Sequence, residues 1–175
     1  MTAEKMKAAR FRGQGEIELV EVPRPKPGPG EVVIRVAANG VCGSDHKILR
    51  SGFDHTPGHE VVGKVVETGP DCGVDTGTRV AVYIPRYCGR CALCEAGREN
   101  LCLNRDGLLG WATNGGYAEY MRIPARNALT LPNDISWAEG VALLDTIGTS
   151  GHGIRLCRCE DAETALVIGA GPIGI

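Results

Sequence analysis

The sequence predicts a mainly β domain, because β-branched runs recur, glycine and proline break them up, and helical signals are scarce before residue 136. Residues 17–22 alternate between apolar and acidic side chains, which is the pattern of a half-buried strand. The proline- and glycine-rich segment 23–30 ends this strand. Strands are predicted over residues 17–22, 31–38, 60–68, 79–84 and 117–123. Short strands at this spacing favour a small barrel.

Helical signals are concentrated near the end of the sequence. Ser136 and Glu139 have the spacing of a capping box, which predicts a helix that continues to Leu144. A second helix is predicted over residues 146–157. Residues 165–168 (Ala-Leu-Val-Ile) then form a short apolar run of the kind found in buried strands, followed directly by a glycine-rich turn.

Composition limits the classes of function. With 175 residues, 43% of them hydrophobic, the chain is long enough to bury a core. The net charge of -2 gives no basic surface for nucleic acid or an anionic membrane, so neither is expected as a partner. No apolar stretch approaches the roughly 18 residues of a transmembrane helix, and no apolar signal segment follows the first basic residues. We therefore expect a cytoplasmic protein.

Four of the eight cysteines form a compact motif with the spacing Cys-x2-Cys-x2-Cys-x7-Cys: Cys88, Cys91, Cys94 and Cys102. Four thiolates so close in sequence can complete a tetrahedral shell around zinc. Disulfides are disfavoured in a reducing compartment, and iron-sulfur clusters use four cysteines with other typical spacings. We predict a structural zinc ion in a lobe over residues 86–105, and a closed shell of this kind leaves no position for catalysis.

A second set of metal-binding residues is predicted at the ends of two strands. Cys42 follows the strand over residues 31–38 in a glycine-rich loop, and His59 begins the strand over residues 60–68 after Pro57 and Gly58. Functional side chains tend to collect on loops positioned by a scaffold of this kind. Cys42 and His59 are therefore candidate ligands for another zinc ion.

Four motifs together resemble those of the zinc-dependent medium-chain alcohol and polyol dehydrogenases. They are Gly-Val-Cys-Gly-Ser-Asp-His at residues 40–46, Pro-Gly-His-Glu at 57–60, the cysteine lobe, and Gly-Ala-Gly-Pro-Ile-Gly at 169–174. The resemblance implies a GroES-like barrel catalytic domain over residues 1–160. It also implies that residues 161–175 are the truncated start of an NAD(P)-binding Rossmann domain, whose nucleotide turn contains Gly169, Gly171 and Gly174.

The resemblance also implies which residues bind the catalytic zinc ion. Cys42 and His59 match two of the family's ligands, and Glu60 matches an acidic neighbour that ligates directly or through water. Asp145 falls where the family has its remaining protein ligand, although it could instead serve only to end the preceding helix. Counting the zinc ion of the cysteine lobe, we expect two zinc ions per chain, one structural and one catalytic.

Three neighbouring residues resemble the family's supporting groups. Ser44 and His46 match a proton relay, with the Ser44 hydroxyl beside the substrate oxygen and His46 toward solvent; the alternative for His46 is an ordinary surface histidine. Both side chains suit the task, because a hydroxyl accepts and donates a proton and histidine titrates near neutral pH. Asp45 matches a carboxylate that orients the ligand His59.

The implied activity is oxidation of a small-molecule alcohol to a ketone or aldehyde, with hydride transfer to NAD or NADP. The sequence stops before the helix and acidic residue that complete a dinucleotide site, so we expect a fragment that is inactive alone. The sequence leaves open whether the chain forms a homo-oligomer. The rival interpretation is a zinc-stabilised GroES-like binding or scaffold domain without catalysis, which would bind one zinc ion per chain.

Overall fold

The computed structural model describes residues 4–159 and 164–175, and its regular secondary structure there is mainly β. The mainly β prediction is thus confirmed. The described strands are β1 (Lys5–Gly13), β2 (Glu16–Pro23), β3 (Glu31–Asn39), β4 (Val61–Thr68), β5 (Arg79–Val82), β6 (Tyr120–Pro124) and β7 (Ala128–Thr130).

The strands form two open antiparallel sheets. β1 pairs with β2, and the five-stranded sheet has the order β6-β3-β4-β5-β7. Backbone hydrogen bonds join β1 to the segment just before β6: the Ala9 N–H donates to the Tyr117 carbonyl over 2.8 Å, and the Glu119 N–H donates to the Lys7 carbonyl over 3.1 Å. These two bonds therefore connect the two-stranded sheet to the segment that leads into the five-stranded sheet.

The core lies against the five-stranded sheet. Its main cluster consists of apolar residues from the strands and the loops beside them: Val32, Ile34, Val61, Val65, Val80, Val82, Leu109, Met121, Ile123 and Ala125. Burial of a side chain of this size contributes about 1.5–3 kcal/mol. The loops that leave β3 and enter β4 next to this packed core carry three candidate metal ligands, Cys42, His59 and Glu60.

The described part of the chain contains four α-helices, which connect and flank the sheets: α1 (Asp45–Ser51), α2 (Ala92–Glu95), α3 (Trp137–Ala142) and α4 (Thr146–Cys157). The predicted bounds of α4 are confirmed, and α3 ends two residues earlier than predicted. α1 and α2 have only 7 and 4 residues, too few to produce a helical repeat in the sequence. His46 consequently lies on a helix that the sequence did not predict.

The capping box of α3 is present as predicted. The Ser136 hydroxyl accepts the Glu139 N–H over 3.3 Å, and the Glu139 carboxylate accepts the Ser136 N–H over 2.8 Å. The Ser136 hydroxyl and the Ser136 backbone N–H lower the pKa of Glu139, because hydrogen bonds to the carboxylate favour its ionised form.

Replacing Ser136 by alanine should therefore lower the free energy of unfolding by about 1 kcal/mol. Urea denaturation followed by circular dichroism measures this loss. Ser51→Ala is the matched control, because the Ser51 hydroxyl donates only to the carbonyl of the adjacent Gly52, over 3.2 Å. Equal losses in the two variants would show that the cap contributes nothing specific.

The strand predicted at residues 165–168 is absent. Residues 164–170 have no regular secondary structure, and Leu166 and Ile168 are 86% and 93% exposed. A buried strand exchanges hydrogen bonds with strands on its sides, and no strand among the described residues lies beside this segment. The predicted domain boundary at residues 160 and 161 lies outside the described residues. None of the described helices is long and apolar enough to cross a membrane.

Candidate metal centres

The lobe brings the four cysteines of its motif together: Cys88, Cys91, Cys94 and Cys102. Sulfur to sulfur distances are 3.5 Å for Cys91 and Cys94, and 4.0 Å both for Cys88 and Cys94 and for Cys91 and Cys102. Sulfur atoms about 2.3 Å from a tetrahedral zinc ion lie about 3.8 Å from one another, whereas a disulfide requires about 2.0 Å. The four thiols therefore have the spacing of a metal shell and are too far apart for disulfides.

Local backbone structure explains this convergence. Cys91 precedes the one-turn helix α2, which carries Cys94 on its inner side. A guanidinium outside the motif also supports the lobe, because Arg126 donates to the Cys88 carbonyl over 2.6 Å. The sequence did not single out Arg126, which is 38 residues beyond Cys88 and gives no spacing signal.

The four thiols differ in proton affinity. The Arg90 backbone N–H, together with Asn104, lowers the pKa of Cys88 to about 6, so this sulfur is mostly thiolate at neutral pH. Burial raises the pKa of Cys94 to about 12. A metal ion requires thiolates and would displace the proton from Cys94.

The second centre brings Cys42, His59, Glu60 and Asp145 together, and one ligand atom of each lies within 4.8 Å of the others. Cys42 comes from the loop after β3, His59 and Glu60 directly precede β4, and Asp145 directly precedes α4. His59 and Glu60 are buried, whereas Cys42 and Asp145 are partly exposed. The cluster is thus closed on the sheet side and open on the side of Cys42 and Asp145.

Distances among these donors fit a tetrahedral metal ion. The Cys42 Sγ atom is 3.4 Å from Asp145 Oδ2, close to the about 3.6 Å expected for sulfur and oxygen on one zinc ion. His59 Nε2 is 4.0 Å from the same oxygen, slightly more than the about 3.4 Å of that geometry. A small inward shift of Asp145, which is partly exposed, would complete the shell.

The electrostatics of the cluster also favour a cation. Burial raises the pKa of Glu60, and the nearby Asp145 carboxylate raises it further. Burial also raises the pKa of Cys42, against hydrogen bonds from Ser44 that lower it. Burial opposes ionisation of Asp145, but hydrogen bonds from Thr149 and Cys42 lower its pKa overall. Several acidic groups thus share one partly buried space, and a divalent cation would relieve their mutual repulsion.

His59 is backed by the carboxylate of Asp45. Asp45 Oδ1 lies 3.7 Å from His59 Nδ1, and both residues are buried. Neither atom has a hydrogen-bond partner among the described residues. The two atoms face one another just beyond hydrogen-bond distance, and this arrangement leaves His59 Nε2 on the side of Asp145.

Two glycines permit the close packing of this centre. A Cβ atom on Gly40 would lie 1.9 Å from Glu60 Oε2, so the Glu60 carboxylate occupies the space that any side chain would need. Gly58 has a φ of +105°, and a Cβ atom there would lie 2.7 Å from the Tyr117 nitrogen. Both positions require glycine for His59 and Glu60 to approach the loop after β3.

The other predicted site residues, those of the proton relay and of the glycine motif, lie mostly at the surface. Ser44 stands at the N-cap position of α1 without a side-chain capping hydrogen bond, His46 lies in the first turn, and both are exposed. Hydrogen bonds in the described part of the chain do not link Ser44 to His46. Gly169 and Gly171 are exposed and Gly174 is partly exposed, and the Gly174 N–H donates to the Gly171 carbonyl over 2.9 Å in a turn.

An aromatic pair flanks the open centre. The Trp111 ring lies 5.6 Å from the His59 ring and 5.9 Å from the Phe53 ring, measured between centroids. The partly exposed Trp111 therefore forms an apolar border next to a candidate metal ligand. Such a border suits the non-reacting part of a small organic substrate.

A family model described as the alcohol dehydrogenase GroES-like domain matches residues 28–133, more than half of the chain. The chain belongs to the zinc-dependent medium-chain alcohol dehydrogenases. The matched range contains the cysteine lobe and three residues of the open centre, Cys42, His59 and Glu60. The resemblance inferred from the motifs and the GroES-like fold are thus confirmed.

Individual members of the dehydrogenase family match between 80% and 99% of this chain. An L-threonine 3-dehydrogenase from Marinomonas sp. is 37% identical over an alignment of 153 residues, which covers 82% of this chain and 44% of the relative. A thermostable alcohol dehydrogenase from Pyrobaculum aerophilum, solved with cobalt and zinc bound, is 40% identical with a TM-score of 0.72, covering 80% of this chain and 45% of that one. An acetophenone reductase from Geotrichum candidum in complex with NAD is 32% identical with a TM-score of 0.86, covering 99% and 54%. The chain therefore spans about half the length of these relatives.

Proposed function

We propose that this chain provides the metal and substrate site of a zinc-dependent alcohol dehydrogenase. The convergence of Cys42, His59, Glu60 and Asp145 carries the proposal, because these donors come from three separate segments and stand within 4.8 Å of one another. The partly exposed side of this cluster supports a coordination position open to substrate. The cysteine lobe would hold a second zinc ion in a purely structural role, giving two zinc ions per chain.

Each residue of the open centre has a distinct role in this proposal. A zinc ion bound here would polarise the substrate oxygen and favour loss of the hydroxyl proton. Cys42, His59 and Asp145 would hold the ion, and Glu60 would ligate directly or through water. Ser44 would accept the hydroxyl proton and pass it toward solvent through His46, which requires the two exposed side chains to approach one another when substrate binds.

The substrate in this proposal is a small-molecule alcohol, and the hydride acceptor is NAD or NADP. The name of the Marinomonas relative makes L-threonine the first compound to examine, and the NAD complex of the Geotrichum reductase supports a nicotinamide cofactor. Residues 1–160 would form the catalytic domain. Residues 161–175, with Gly169, Gly171 and Gly174, would contribute the turn that meets the cofactor's pyrophosphate.

Metal counting tests this function against the scaffold alternative. The chain is freed of metal with a chelator, and cobalt(II) is then titrated in while the visible spectrum and the bound metal are measured. We expect two ions per chain: one in an all-thiolate site that resists a competing chelator, and one in a mixed site that exchanges readily. L-Threonine and a simple secondary alcohol are then added, and either should change only the spectrum of the mixed site.

A single ion, bound only by the lobe, would contradict the dehydrogenase proposal and favour a scaffold domain. Cys72→Ser is the matched control for nonspecific thiol binding. The Cys72 thiol contacts the Val74 carbonyl over 3.4 Å and lies outside both centres. This variant should still bind two ions.

A further inference from the structure

Tyr117 lies outside the candidate ligands but contacts the residue that backs one of them. Its hydroxyl is 2.7 Å from Asp45 Oδ2 and 3.0 Å from the Gly40 carbonyl oxygen. A phenol has one proton to donate, and the shorter distance is typical of a hydroxyl bound to a carboxylate. The Tyr117 hydroxyl therefore donates to Asp45.

The two carboxylate oxygens of Asp45 have different surroundings. Oδ2 accepts both the Tyr117 hydroxyl and the Cys42 N–H, the latter over 3.1 Å. Oδ1 has no hydrogen-bond donor among the residues that the structure describes, and it faces His59 Nδ1 at 3.7 Å. Rotation of the carboxylate would break both bonds to Oδ2, so Oδ1 is held toward His59.

Tyr117 is itself fixed from several sides. Its ring stacks on Phe11 of β1 with 5.7 Å between centroids, and its N–H donates to the Pro57 carbonyl over 3.0 Å. Its carbonyl accepts the Ala9 N–H over 2.8 Å. Burial and the Asp45 carboxylate both raise the pKa of Tyr117, so the hydroxyl keeps its proton and remains a donor. Through its ring, its backbone and its hydroxyl, Tyr117 thus links β1, the loop before His59 and the start of α1.

We propose that Tyr117 is a positioning residue of the open metal centre, whose hydroxyl holds Asp45 so that Asp45 orients His59 Nε2 toward the metal ion. The inference rests on the proposed function, because it assumes that Cys42, His59 and Asp145 bind a metal. It assigns a role to a residue with no donor atom in the cluster. Contacts of this kind fix the tautomer and the ring direction of a metal-binding histidine.

Tyr117→Phe tests the proposal, because it removes the hydroxyl and keeps the ring that stacks on Phe11. Cobalt(II) titration should show affinity at the open centre lowered by about 10-fold, the smaller end of the range for groups behind a ligand. The visible absorption of cobalt at this centre should shift, while the all-thiolate lobe keeps both its affinity and its spectrum. Tyr120→Phe is the matched control, because the Tyr120 ring faces Arg24 at 4.4 Å and not the metal centre.

A double-mutant cycle separates positioning from packing. Asp45→Asn should lower cobalt affinity at the open centre, and Tyr117→Phe should add less than about 2-fold in that background, since the two groups act in series. Unchanged affinity and spectrum in Tyr117→Phe would overturn the proposal, as would equal losses at both metal sites or full additivity with Asp45→Asn. A wild-type chain with no second cobalt ion would instead contradict the proposed function, and this role with it.

Discussion

Cys94→Ser is expected to remove the structural metal ion and to leave the lobe over residues 86–105 without a fixed conformation. Cys94 and Cys102 are the only buried residues in this range, so the lobe has almost no hydrophobic core of its own. A structural zinc site contributes about 10 kcal/mol or more of binding free energy in small metal-dependent folds. Burial of two thiols without a metal ion would supply only a small part of that stabilising free energy.

Limited proteolysis and metal analysis would measure this loss. The variant should bind one ion fewer and be cleaved within residues 86–105 under conditions where the wild-type chain is resistant. Cys72→Ser again serves as the control, and it should behave like the wild type in both measurements. A Cys94→Ser chain that keeps two ions and resists cleavage would show that the lobe is held by contacts other than metal.

His59→Ala is expected to abolish metal binding at the open centre while the lobe keeps its ion. His59 is the most buried of the four donors, at 6% exposure, and the only nitrogen donor among them. Loss of groups that merely orient a ligand costs 10–100-fold in metal affinity, so loss of the ligand should exceed about 100-fold. The three remaining acidic groups would then share the space without a well-placed cation.

Cobalt titration of His59→Ala should therefore saturate at one ion per chain, with the all-thiolate spectrum. His55→Ala is the matched control: His55 precedes His59 by four residues but is exposed and contacts Phe53 rather than the cluster. It should bind two ions. Retention of the second ion by His59→Ala would place the open metal site elsewhere in the chain.

The fold was predictable where local patterns were strong. The strands β2 to β6 follow from alternation and turn residues, and the capping box follows from the spacing of Ser136 and Glu139. β1 was missed because lysine and arginine interrupt its apolar positions, and its pairing has an irregularity between Phe11 and Gly13. The run at residues 165–168 was wrongly assigned as a strand, because apolar composition does not show whether a sheet partner is present.

The metal centres were predictable to different degrees. The spacing of the lobe cysteines was sufficient to predict their convergence. Asp145 is 103 residues from Cys42, so only the family resemblance could bring the two together. Tyr117 carried no such signal, because a tyrosine after two glycines is equally typical of packing and of a turn. Its role depends on the 2.7 Å bond to Asp45, which only the folded chain reveals.

Asp145 connects the open centre to the folding of a helix. It stands at the start of α4, where its carbonyl accepts the Thr149 N–H over 3.0 Å and its carboxylate accepts the Thr149 hydroxyl over 2.7 Å. α4 has no buried residue, so little else protects its first turn from fraying. Metal binding at the centre and order in this turn are thus thermodynamically linked. A metal ion bound to Asp145 would lower the population of the locally unfolded helix, and unfolding of the helix would weaken metal binding to the same extent.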